Sequence, residues 1–474
     1  MTETHVNFLS GSPLNRLSWL RTSTPFLTAV LANQKSRWLL FRGGEPLVRI
    51  DGTKKSHGLA RLSTSTISSL LGSPPIFGQG KEPGQAAQAV DDSGEEDLHV
   101  HAARLHGPGI VFLGVHEPEN AQDDNSKALP SSEFSAKADP HVAASNISGV
   151  PYFSLDVSET DKDILDEVLK SASQSYDSDA DQASSSNSDL NGSPQVSLDF
   201  MEPRTASSGF SAFEAAIFSE ARSMVDWNAR NRFCPACGSP TYSLWAGWKL
   251  ACATLLPWAD NTGKKPCPSA RGLHNFSHPR TDPVVIMAII DESGEKILLG
   301  KNRKFPFSFY SCLAGFIEPG ESFEDAVKRE IWEEAAVHVW GVKYHSTQPW
   351  PYPSSLMVGF YAFADSSKPV RVDLDNELAD ARWYTREEVL NVLSHTKGSI
   401  ITRQENKIFD NHDNDKKPLN ADTNTTSQTV EPEPEKMPAF RVPPETAIAG
   451  ILIRDWANGK IGAGGWNALK KGNL

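Results

Sequence analysis

The chain has 474 residues, a formal net charge of −13 and a hydrophobic content of 39%. That length and apolar content are enough for two or three domains with cores of their own. The acidic balance argues against a broad nucleic-acid-coating surface, because such surfaces are basic. No apolar run reaches membrane-span length, and the first residues lack a basic start followed by an apolar core. We therefore expect a soluble protein outside the secretory pathway.

The first half of the chain predicts a domain that mixes strands and helices. Residues 36–41, 109–115 and 151–157 are short apolar runs of the kind that form strands. Residues 213–231 repeat apolar side chains at helical intervals. Together they predict an N-terminal α+β domain over residues 1–232, ending just before the first cysteine.

Three segments have the composition of disordered inserts. Residues 119–146, 172–198 and 403–437 are rich in polar residues and contain few large apolar ones. Such segments cannot bury enough apolar surface to order themselves. We therefore expect two inserts within the N-terminal domain and one near the end of the chain.

The cysteines predict a structural metal site. The first four follow the spacing C-x2-C-x14-C-x14-C, and they are Cys234, Cys237, Cys252 and Cys267. Four thiolates give zinc a closed tetrahedral shell, provided that residues 253–266 fold back, so we expect a zinc ribbon over residues 233–278. A redox CxxC pair and buried free thiols are the alternatives. Five cysteines form an odd, sparse set that suggests no disulfide framework and favours a reducing compartment, with Cys312 as a small core residue.

Residues 315–337, GFIEPGESFEDAVKREIWEEAAV, form the most informative segment. A strand-like run ends at Ala314, Gly315 permits a tight turn, and Pro319-Gly320 closes a loop that delivers Glu321 to a helix start. Apolar side chains then recur at helical intervals and are expected to face a core. They are Phe323, Ala326, Val327, Ile331 and Trp332.

Three glutamates of this helix share one face. Glu330, Glu333 and Glu334 stand at i, i+3 and i+4, an arrangement of like charges that is unfavourable unless cations neutralise it. Mg²⁺ and Mn²⁺ prefer oxygen ligands, so a divalent-metal and diphosphate site is expected here. Arg329 is placed to orient Glu321 or Glu333 by a bidentate contact. The alternative is an ordinary glutamate-rich surface helix.

A proline-rich segment follows the helix and predicts a ligand-binding loop. It runs through Gln348, Pro349, Trp350, Pro351, Tyr352, Pro353, Ser354 and Ser355 before a strand that starts at Leu356. The prolines are expected to stiffen the loop and to keep it out of the sheet. Trp350 and Tyr352 offer flat surfaces suited to stacking on a heteroaromatic ring. A rigid structural loop with buried aromatic side chains is an equal alternative.

The remaining elements predict an α/β domain over residues 279–474. Strands are expected around residues 283–290, 296–300, 310–314, 338–346 and 356–364, alternating with the glutamate-rich helix. Two further helices are expected at residues 385–396 and 445–457.

The order of these motifs resembles that of NADH pyrophosphatases of the Nudix superfamily. The cysteine array, the strand entry PRTDPVVIMAI, the glutamate-rich box and the QPWPYPSS segment occur in the same sequence order. The resemblance implies an α/β/α sandwich with a mixed sheet, preceded by a zinc ribbon. This chain departs from the family pattern at an inserted Thr347, at Tyr352 in place of phenylalanine, and at His278 in place of another aromatic residue. Ala336 stands where the box ends in glycine, so we expect negative φ there and a slightly longer helix.

What the resemblance implies is metal-dependent hydrolysis of NADH or NAD⁺ to nicotinamide mononucleotide and AMP. Removal of an NAD cap from RNA uses the same bond. Mg²⁺ or Mn²⁺ is expected on Glu330, Glu334, Glu377 and the carbonyl of Ala314, with Glu333 as a ligand or water-orienting base. The implied catalytic set also contains Glu321 and Arg329, and the implied dinucleotide site is Gln348 through Ser355.

The resemblance also suggests a homodimer and a peroxisomal location, with the cytoplasm as the alternative location. The terminal residues Lys470 to Leu474 keep a leucine after basic residues but are not the Ser-Lys-Leu address. Two other functions stay open at this point. One is hydrolysis of other dinucleotides or nucleotide sugars, and the other is a non-catalytic zinc-ribbon scaffold or RNA-binding module.

Overall fold

The computed structural model describes most of the chain and divides it into two compact units. The described residues are 6–52, 56–87, 98–117, 139, 147, 149–175, 196–272, 274–303, 308–375, 377–401 and 438–461. The N-terminal unit consists of Gly11–Thr281 and Pro351–Ser354. The box unit consists of Met1–Ser10, Asp282–Trp350 and Ser355–Leu474. This grouping differs from the sequence-based boundaries, because the cysteine-rich segment belongs to the N-terminal unit and the first ten residues do not.

A mixed sheet organises the N-terminal unit. Its strand order is β1-β6-β7-β2-β3-β4, with β5 paired to β2 and β8 to β3. The central β2–β7 pair is parallel, while β2 and β3 are antiparallel neighbours. The strands are β1 Leu14–Asn15, β2 Arg37–Arg42, β3 Glu45–Asp51, β4 Ser56–Leu59, β5 Leu62–Ser63, β6 Ile110–His116, β7 Val150–Asp156 and β8 Val196–Phe200. The three strands predicted in this region are confirmed as β2, β6 and β7.

Helices pack on this sheet and close its core. The predicted long helix is confirmed at Ala212–Arg230, where Ser211 and Glu214 form a reciprocal capping box. The other helices are Thr24–Leu31, Thr64–Ile67, Lys162–Ser175, Pro203–Ser207 and His274–Ser277, and short 3-10 turns occupy Ser18–Leu20, Ser68–Leu70, Trp245–Gly247, Ala253–Leu255 and Pro268–Arg271. Fully buried Trp38 and Phe153 stack at 4.7 Å near the centre of the core. A two-stranded hairpin, β9 Thr241–Leu244 and β10 Lys249–Cys252, carries the third cysteine.

The expected inserts fall largely outside the described residues. This holds for residues 119–146, apart from exposed Asp139, and for residues 403–437. The expectation for residues 172–198 is wrong at both ends. A helix runs on through Ser175, and β8 begins at Val196.

The box unit is built on a second mixed sheet. Its strand order is β14-β15-β11-β12-β16, with β13 paired to β11, and the β11–β15 pair is parallel. The strands are β11 Asp282–Asp291, β12 Lys296–Asn302, β13 Leu313–Phe316, β14 Val339–Trp350, β15 Ser355–Ala364 and β16 Leu378–Thr385. All five predicted strands are present, with the third shifted from 310–314 to 313–316. The sixth, β16, escaped sequence reasoning because Asp380 and Arg382 interrupt its apolar pattern.

Helices cover both faces of this sheet, which confirms the α/β/α sandwich. Val285, Met287 and Ile289 of β11 pack with the box helix, Phe323–Ala335. The alternate residues of β11 pack with the helices Arg386–Ser394 and Ile448–Ala457. The predicted helices at 385–396 and 445–457 are thus present in shortened form. Among the helices described for either unit, none combines the length and apolarity needed to cross a membrane.

Candidate active site

Gly315 is required by close packing rather than by a turn. It lies inside β13, opposite Val285, so the expectation that the strand ends at Ala314 is wrong. A Cβ atom at Gly315 would stand 1.9 Å from the carboxyl carbon of Glu330. Any side chain here would therefore displace the Glu330 carboxylate from the edge of the strand.

The loop after β13 brings the acidic residues to the helix in a fixed way. Gly320 has a φ of +94°, a conformation that L side chains rarely adopt. Glu321 accepts a hydrogen bond from the backbone N–H of Glu318 at 2.9 Å. The box helix then begins at Phe323, where Ser322 and Asp325 form a capping box.

Arg329 binds three glutamates at once. Its Nε and Nη2 donate to the two carboxylate oxygens of Glu321 at 2.5 and 2.9 Å, a bidentate pair. Its Nη1 donates to Glu330 at 2.8 Å and to Glu333 at 2.9 Å, and its Nη2 also donates to the carbonyl of Phe316. These bonds lower the pKa of Glu321 to about 2. The predicted orienting role of Arg329 is confirmed for both Glu321 and Glu333.

Glu334 is buried without matching positive charge, whereas Glu330 is partly buried and paired to Arg329. Burial raises the pKa of Glu330, and it raises the pKa of Glu334 well above its ordinary value. The charges of Glu377 and Glu330 raise the pKa of Glu334 further. Glu334 is 3% exposed and accepts a hydrogen bond from the backbone of Ala314. Its Oε1 has no hydrogen-bond partner in the described part of the chain.

These observations fit a site for divalent cations. The orphaned carboxylate oxygen of Glu334, the partly buried carboxylate of Glu330 and a third carboxylate at Glu377 form the hard oxygen donor set that Mg²⁺ and Mn²⁺ take. Glu377 also accepts a hydrogen bond from Asn302 at 3.0 Å, which fixes one of its oxygens. Glu333 is 46% exposed and borders the same group through Arg329. The structure therefore brings the expected acidic residues together around the box helix.

Two expectations about the box helix are wrong. Phe323 and Trp332 do not face the core, since each is 43% exposed, whereas Ala326, Val327 and Ile331 are fully buried as predicted. Phe323 packs at the surface against Phe360. The helix also does not run on past the box.

The end of the box helix explains the residue that replaces glycine. Ala336 has φ 55° and ψ 34°, the left-handed conformation, rather than the negative φ expected for alanine. Its backbone N–H donates to the carbonyl of Trp332 at 2.9 Å and closes the last turn. The backbone keeps the shape that glycine favours, at a cost of about 1 kcal/mol to the alanine.

The four predicted cysteine ligands form a preassembled cluster in the N-terminal unit. All four sulfur atoms lie within 4.8 Å of one another, and no other group of three or more such ligands does so in the described ranges. The Cys234–Cys267 and Cys237–Cys252 sulfurs are 3.6 and 3.4 Å apart. A tetrahedral shell with metal–sulfur bonds of about 2.3 Å has edges of roughly 3.8 Å, so the spacing suits a metal ion.

The surroundings of the cluster support the same interpretation. The hydroxyls of Thr254 and Ser269 lie 3.0 Å from the sulfurs of Cys252 and Cys267. Hydrogen bonds involving Ser239 lower the pKa of Cys237 to about 6, which favours the thiolate that a metal requires. The predicted fold-back of residues 253–266 is confirmed. Cys312 lies in the box-unit core as expected, where burial raises its pKa to about 12.

The proline-rich segment joins the sheet, contrary to expectation. Gln348, Pro349 and Trp350 complete β14, with Trp350 opposite Ser355 in β15. Proline is tolerated there because β14 is the edge strand and an outward-facing N–H is not needed. The turn that follows, Pro351–Ser354, groups with the N-terminal unit instead of the box unit.

Gln348 is an internal anchor rather than an available ligand contact. It is fully buried, and its Nε2 donates to the carbonyls of Phe8 and Thr446, each at 2.8 Å. Its Oε1 accepts the N–H of Ile448 at 2.8 Å, at the start of a helix that has no side-chain cap. All of its amide atoms are thus engaged within the protein, so Gln348 orders the end of β14 from inside, and its role in substrate binding stays a prediction.

Tyr352 is held through both its hydroxyl and its ring. The hydroxyl lies 2.8 Å from Ser207 Oγ, and the Arg204 guanidinium lies 4.4 Å from the ring centroid. One ring face is therefore already covered. Ser354 donates to the carbonyl of Arg280 at 3.3 Å, while Pro351 is buried and Pro353 is half-buried.

The sequence of this chain is similar to those of known proteins. Residues 280–404 match the NUDIX domain model. The NAD-capped RNA hydrolase of Schizosaccharomyces pombe is 33% identical over 386 residues, which cover 81% of this chain and 85% of that relative. The chain belongs to the Nudix family.

Other Nudix relatives match shorter parts of the chain. NAD-capped RNA hydrolase NUDT12 of Homo sapiens is 43% identical over 243 residues, or 51% of this chain and 42% of that relative. NAD-capped RNA hydrolase NudC of Mycobacterium bovis is 35% identical over 193 residues, or 41% of this chain and 55% of that relative. The chain thus spans less than half the length of the human protein.

One exposed aromatic residue within the Nudix box was not predicted from the sequence to be a site residue. Phe316 is 60% exposed, directly follows Gly315, and has its carbonyl bound by Arg329. It offers a flat apolar surface next to the acidic group. Its position after Gly315 was a usable signal. His278, flagged as a departure, stacks on His274 at 4.0 Å and lies 5.3 Å from Trp245, within the N-terminal unit.

Proposed function

We propose that this chain hydrolyses the diphosphate bond of NADH and NAD⁺, releasing nicotinamide mononucleotide and AMP. The supporting observation is the buried carboxylate of Glu334, which has one oxygen without a hydrogen-bond partner among the described residues and interacts electrostatically with partly buried Glu330. That arrangement is unfavourable without cations and suits the charge of a metal-bound diphosphate. The names of the relatives, NAD-capped RNA hydrolases, support a substrate that contains NAD, including an NAD cap on RNA.

The acidic residues of the site have distinct roles in this proposal. Glu330, Glu334 and Glu377, with the backbone carbonyl of Ala314, would hold Mg²⁺ or Mn²⁺. Such ions, when bound, neutralise the diphosphate and lower the pKa of a coordinated water. Glu333 is exposed enough to accept a proton from that water.

The reaction itself is a phosphoryl transfer to water. The water oxygen bonds to one phosphorus atom while the bond from that phosphorus to the bridging oxygen breaks. The bridging oxygen leaves with the other phosphate, so both products are monophosphates. Arg329 keeps the carboxylates oriented through its bonds to Glu321, Glu330 and Glu333.

Several aromatic and polar residues would bind the rest of the dinucleotide. Exposed Phe316 and half-buried Trp350 offer stacking surfaces in the box unit, and Ser355 offers a hydroxyl. The turn Pro351, Tyr352, Pro353 and Ser354 would act mainly by fixing the chain between Trp350 and Ser355. Pro349 would contribute by stiffening the end of β14.

We further propose that the cysteine cluster holds zinc. Four sulfur ligands leave no open position, so the ion would be structural. We also propose that the protein is a homodimer and that it is located in the peroxisome, with the cytoplasm as the alternative location. Sedimentation at several concentrations tests the first, and fluorescence imaging of a chain tagged internally, away from both ends, tests the second.

A product-resolved assay tests the proposed function. Full-length protein is incubated with NADH, NAD⁺, NAD-capped RNA, ADP-ribose or diadenosine polyphosphates while Mg²⁺ and Mn²⁺ are titrated. We expect nicotinamide mononucleotide and AMP from the NAD compounds, with activity that depends on the added metal. Preferred cleavage of ADP-ribose or diadenosine polyphosphates would contradict the proposal, and so would cleavage that does not depend on metal.

A further inference from the structure

We infer that the short helix Pro203–Ser207 is the seat that positions the turn Pro351–Ser354, with Arg204 and Ser207 as positioning residues. This inference rests on the proposed function, because it gives that turn its role in substrate binding. All of the contacts involved lie within the N-terminal unit. The roles proposed for the acidic residues of the box do not depend on the helix Pro203–Ser207.

The helix holds Tyr352, the aromatic residue of the turn, through two directional contacts. Ser207 Oγ and the Tyr352 hydroxyl are 2.8 Å apart, and the Arg204 guanidinium covers a ring face at 4.4 Å. The first contact fixes the end of the side chain, and the second fixes the plane of its ring. Together they define both the position and the orientation of Tyr352.

The Tyr352 hydroxyl stays protonated and able to hydrogen bond at physiological pH. Burial raises the pKa of this phenol to about 12. Ser207 is itself buried, at 6% exposure, so water competes poorly for the bond. The Ser207 hydroxyl also donates to the carbonyl of Arg204 at 3.0 Å, which orients its lone pairs towards Tyr352.

The helix is too short to hold its own shape, and its neighbours brace it at both ends. The Glu202 carboxylate accepts the backbone N–H groups of Arg204 and Thr205 at 2.6 and 2.7 Å. At the other end, His57 Nε2 lies 3.1 Å from the carbonyls of Thr205 and Ala206. Five residues alone would not form a stable helix, so these contacts make a rigid platform.

A glycine beside this platform shows how closely it is packed. A Cβ atom on Gly209 would stand 2.5 Å from His57 Nε2. The imidazole therefore occupies the space that a side chain would take, directly after the helix. Glycine at this position therefore leaves room for the His57 ring that contacts the end of the helix.

The consequence for binding follows from the covalent chain. The turn is joined by peptide bonds to Trp350 on one side and to Ser355 on the other, and it carries four of the residues implied in dinucleotide binding. Holding Tyr352 in one orientation removes conformations of the turn that would otherwise have to be lost when substrate binds. Releasing Tyr352 is therefore expected to weaken substrate binding without changing the chemical step.

Kinetics of four single variants and one double variant test this role. We expect Arg204→Gln to raise the KM for NADH roughly tenfold, and Arg204→Lys to recover part of that loss because lysine keeps a cation over the ring. Ser207→Ala and Tyr352→Phe should each raise KM about threefold. The double variant should have the same KM as either single variant, because both changes remove the same hydrogen bond. In all cases kcat should stay within about twofold of the parent value, as expected when binding rather than chemistry is affected.

A matched control and a second readout make the test decisive. Arg232→Gln removes another arginine of the same unit, 57% exposed and paired to Glu159, and it should change nothing. Hydrogen–deuterium exchange of peptides covering residues 349–356 should rise in Arg204→Gln, Ser207→Ala and Tyr352→Phe but not in Arg232→Gln.

The two readouts separate the inference from the proposed function. If the parent protein cleaves NADH but KM and exchange are unchanged in the variants, the inference is wrong and the function stands. If the parent protein does not cleave NADH, exchange alone decides whether this helix holds the turn. If Arg204→Gln fails to fold, the Ser207→Ala and Tyr352→Phe pair decides the question by the same two measurements.

Discussion

The molecule contains two groups of candidate metal ligands that are built in opposite ways. The four cysteine sulfurs lie within 4.8 Å of one another, and three of the four residues are buried. The carboxylates of Glu330, Glu334 and Glu377 interact electrostatically but do not reach that spacing in the described ranges. The four sulfurs already have the spacing of a metal shell, whereas the three carboxylates lie further apart.

Charge explains the difference. Three of the four cysteines are buried and pack as small apolar groups, so the protein can assemble the cluster in advance. Carboxylates of like charge repel each other, and burial adds a desolvation penalty. Arg329 offsets part of that repulsion, but it binds mainly Glu321 and leaves Glu334 without a cation. A site that would hold both a divalent ion and a substrate phosphate benefits from remaining open.

The strongest test removes the charge of the open site. We expect Glu334→Gln to lower kcat/KM for NADH by about a thousandfold or more, since a metal ligand that stabilises developing charge is lost. The same change should raise the metal-free stability by about 1 kcal/mol, because it replaces a buried, unpaired carboxylate with a neutral amide. Activity and thermal unfolding are measured on the same preparations. Undiminished turnover would sink the assignment of the site, and unchanged zinc content serves as the control.

The next test opens the closed site. Cys252→Ser should reduce bound zinc from one ion per chain to nearly none and lower the midpoint of thermal unfolding by several degrees or more. Elemental analysis by mass spectrometry gives the metal content. Cys312→Ser is the matched control, because Cys312 lies outside the cluster, and its zinc content should stay intact. Full zinc retention in Cys252→Ser would show that the sulfurs do not act as a metal shell.

A third test disturbs the position of one carboxylate without removing it. Gly315→Ala places a methyl group where the Glu330 carboxylate lies, so kcat/KM should fall by roughly 10- to 100-fold, as when the support of a metal ligand is lost. Gly320→Ala is the control: it strains a left-handed backbone but meets no atom within 4 Å. It should cost about 1 kcal/mol of stability and leave Glu330 in place. Equal activity losses in the two variants would contradict the packing argument.

The smallest effect is expected at the end of the box helix. Ala336→Gly should stabilise the protein by about 1 kcal/mol, because glycine adopts the observed left-handed conformation without steric cost. Activity should be unchanged, since Ala336 carries no ligand atom in its side chain. Ala335→Gly, one residue earlier and fully buried within the helix, should instead destabilise. Chemical denaturation of the three proteins ranks them, and a less stable Ala336→Gly would contradict this interpretation of the helix end.

Sequence periodicity located the elements whose packing is local. The strands β11 and β15 and the box helix were predictable because their apolar residues recur at the intervals of strand and helix. The pairing of Arg329 with Glu321 and Glu333 was also predictable, since all three lie within one short segment. The cysteine array was recognisable because metal ligation constrains both residue type and spacing.

The errors occurred where a distant contact decides the local structure. Gly315 pairs with Val285 inside β13, and Glu330, in the next element, occupies the space that a side chain would need. Prolines usually interrupt sheets, but Pro349 is accommodated because β14 lies at the sheet edge, a fact of topology. Gln348 finds its partners at Phe8 and Thr446, which no local pattern can reveal.

The anchoring of Gln348 has a consequence for the order in which the chain can assemble. Gln348 binds the carbonyl of Phe8, 340 residues earlier, and also contacts the start of the helix at Ile448, 100 residues later. Phe8 is synthesised well before Gln348 and before the helix at Ile448, so its contact must wait for these later segments. The box unit therefore cannot be completed co-translationally from its own contiguous segment. A fragment that starts at residue 279 would leave a buried amide donor unpaired.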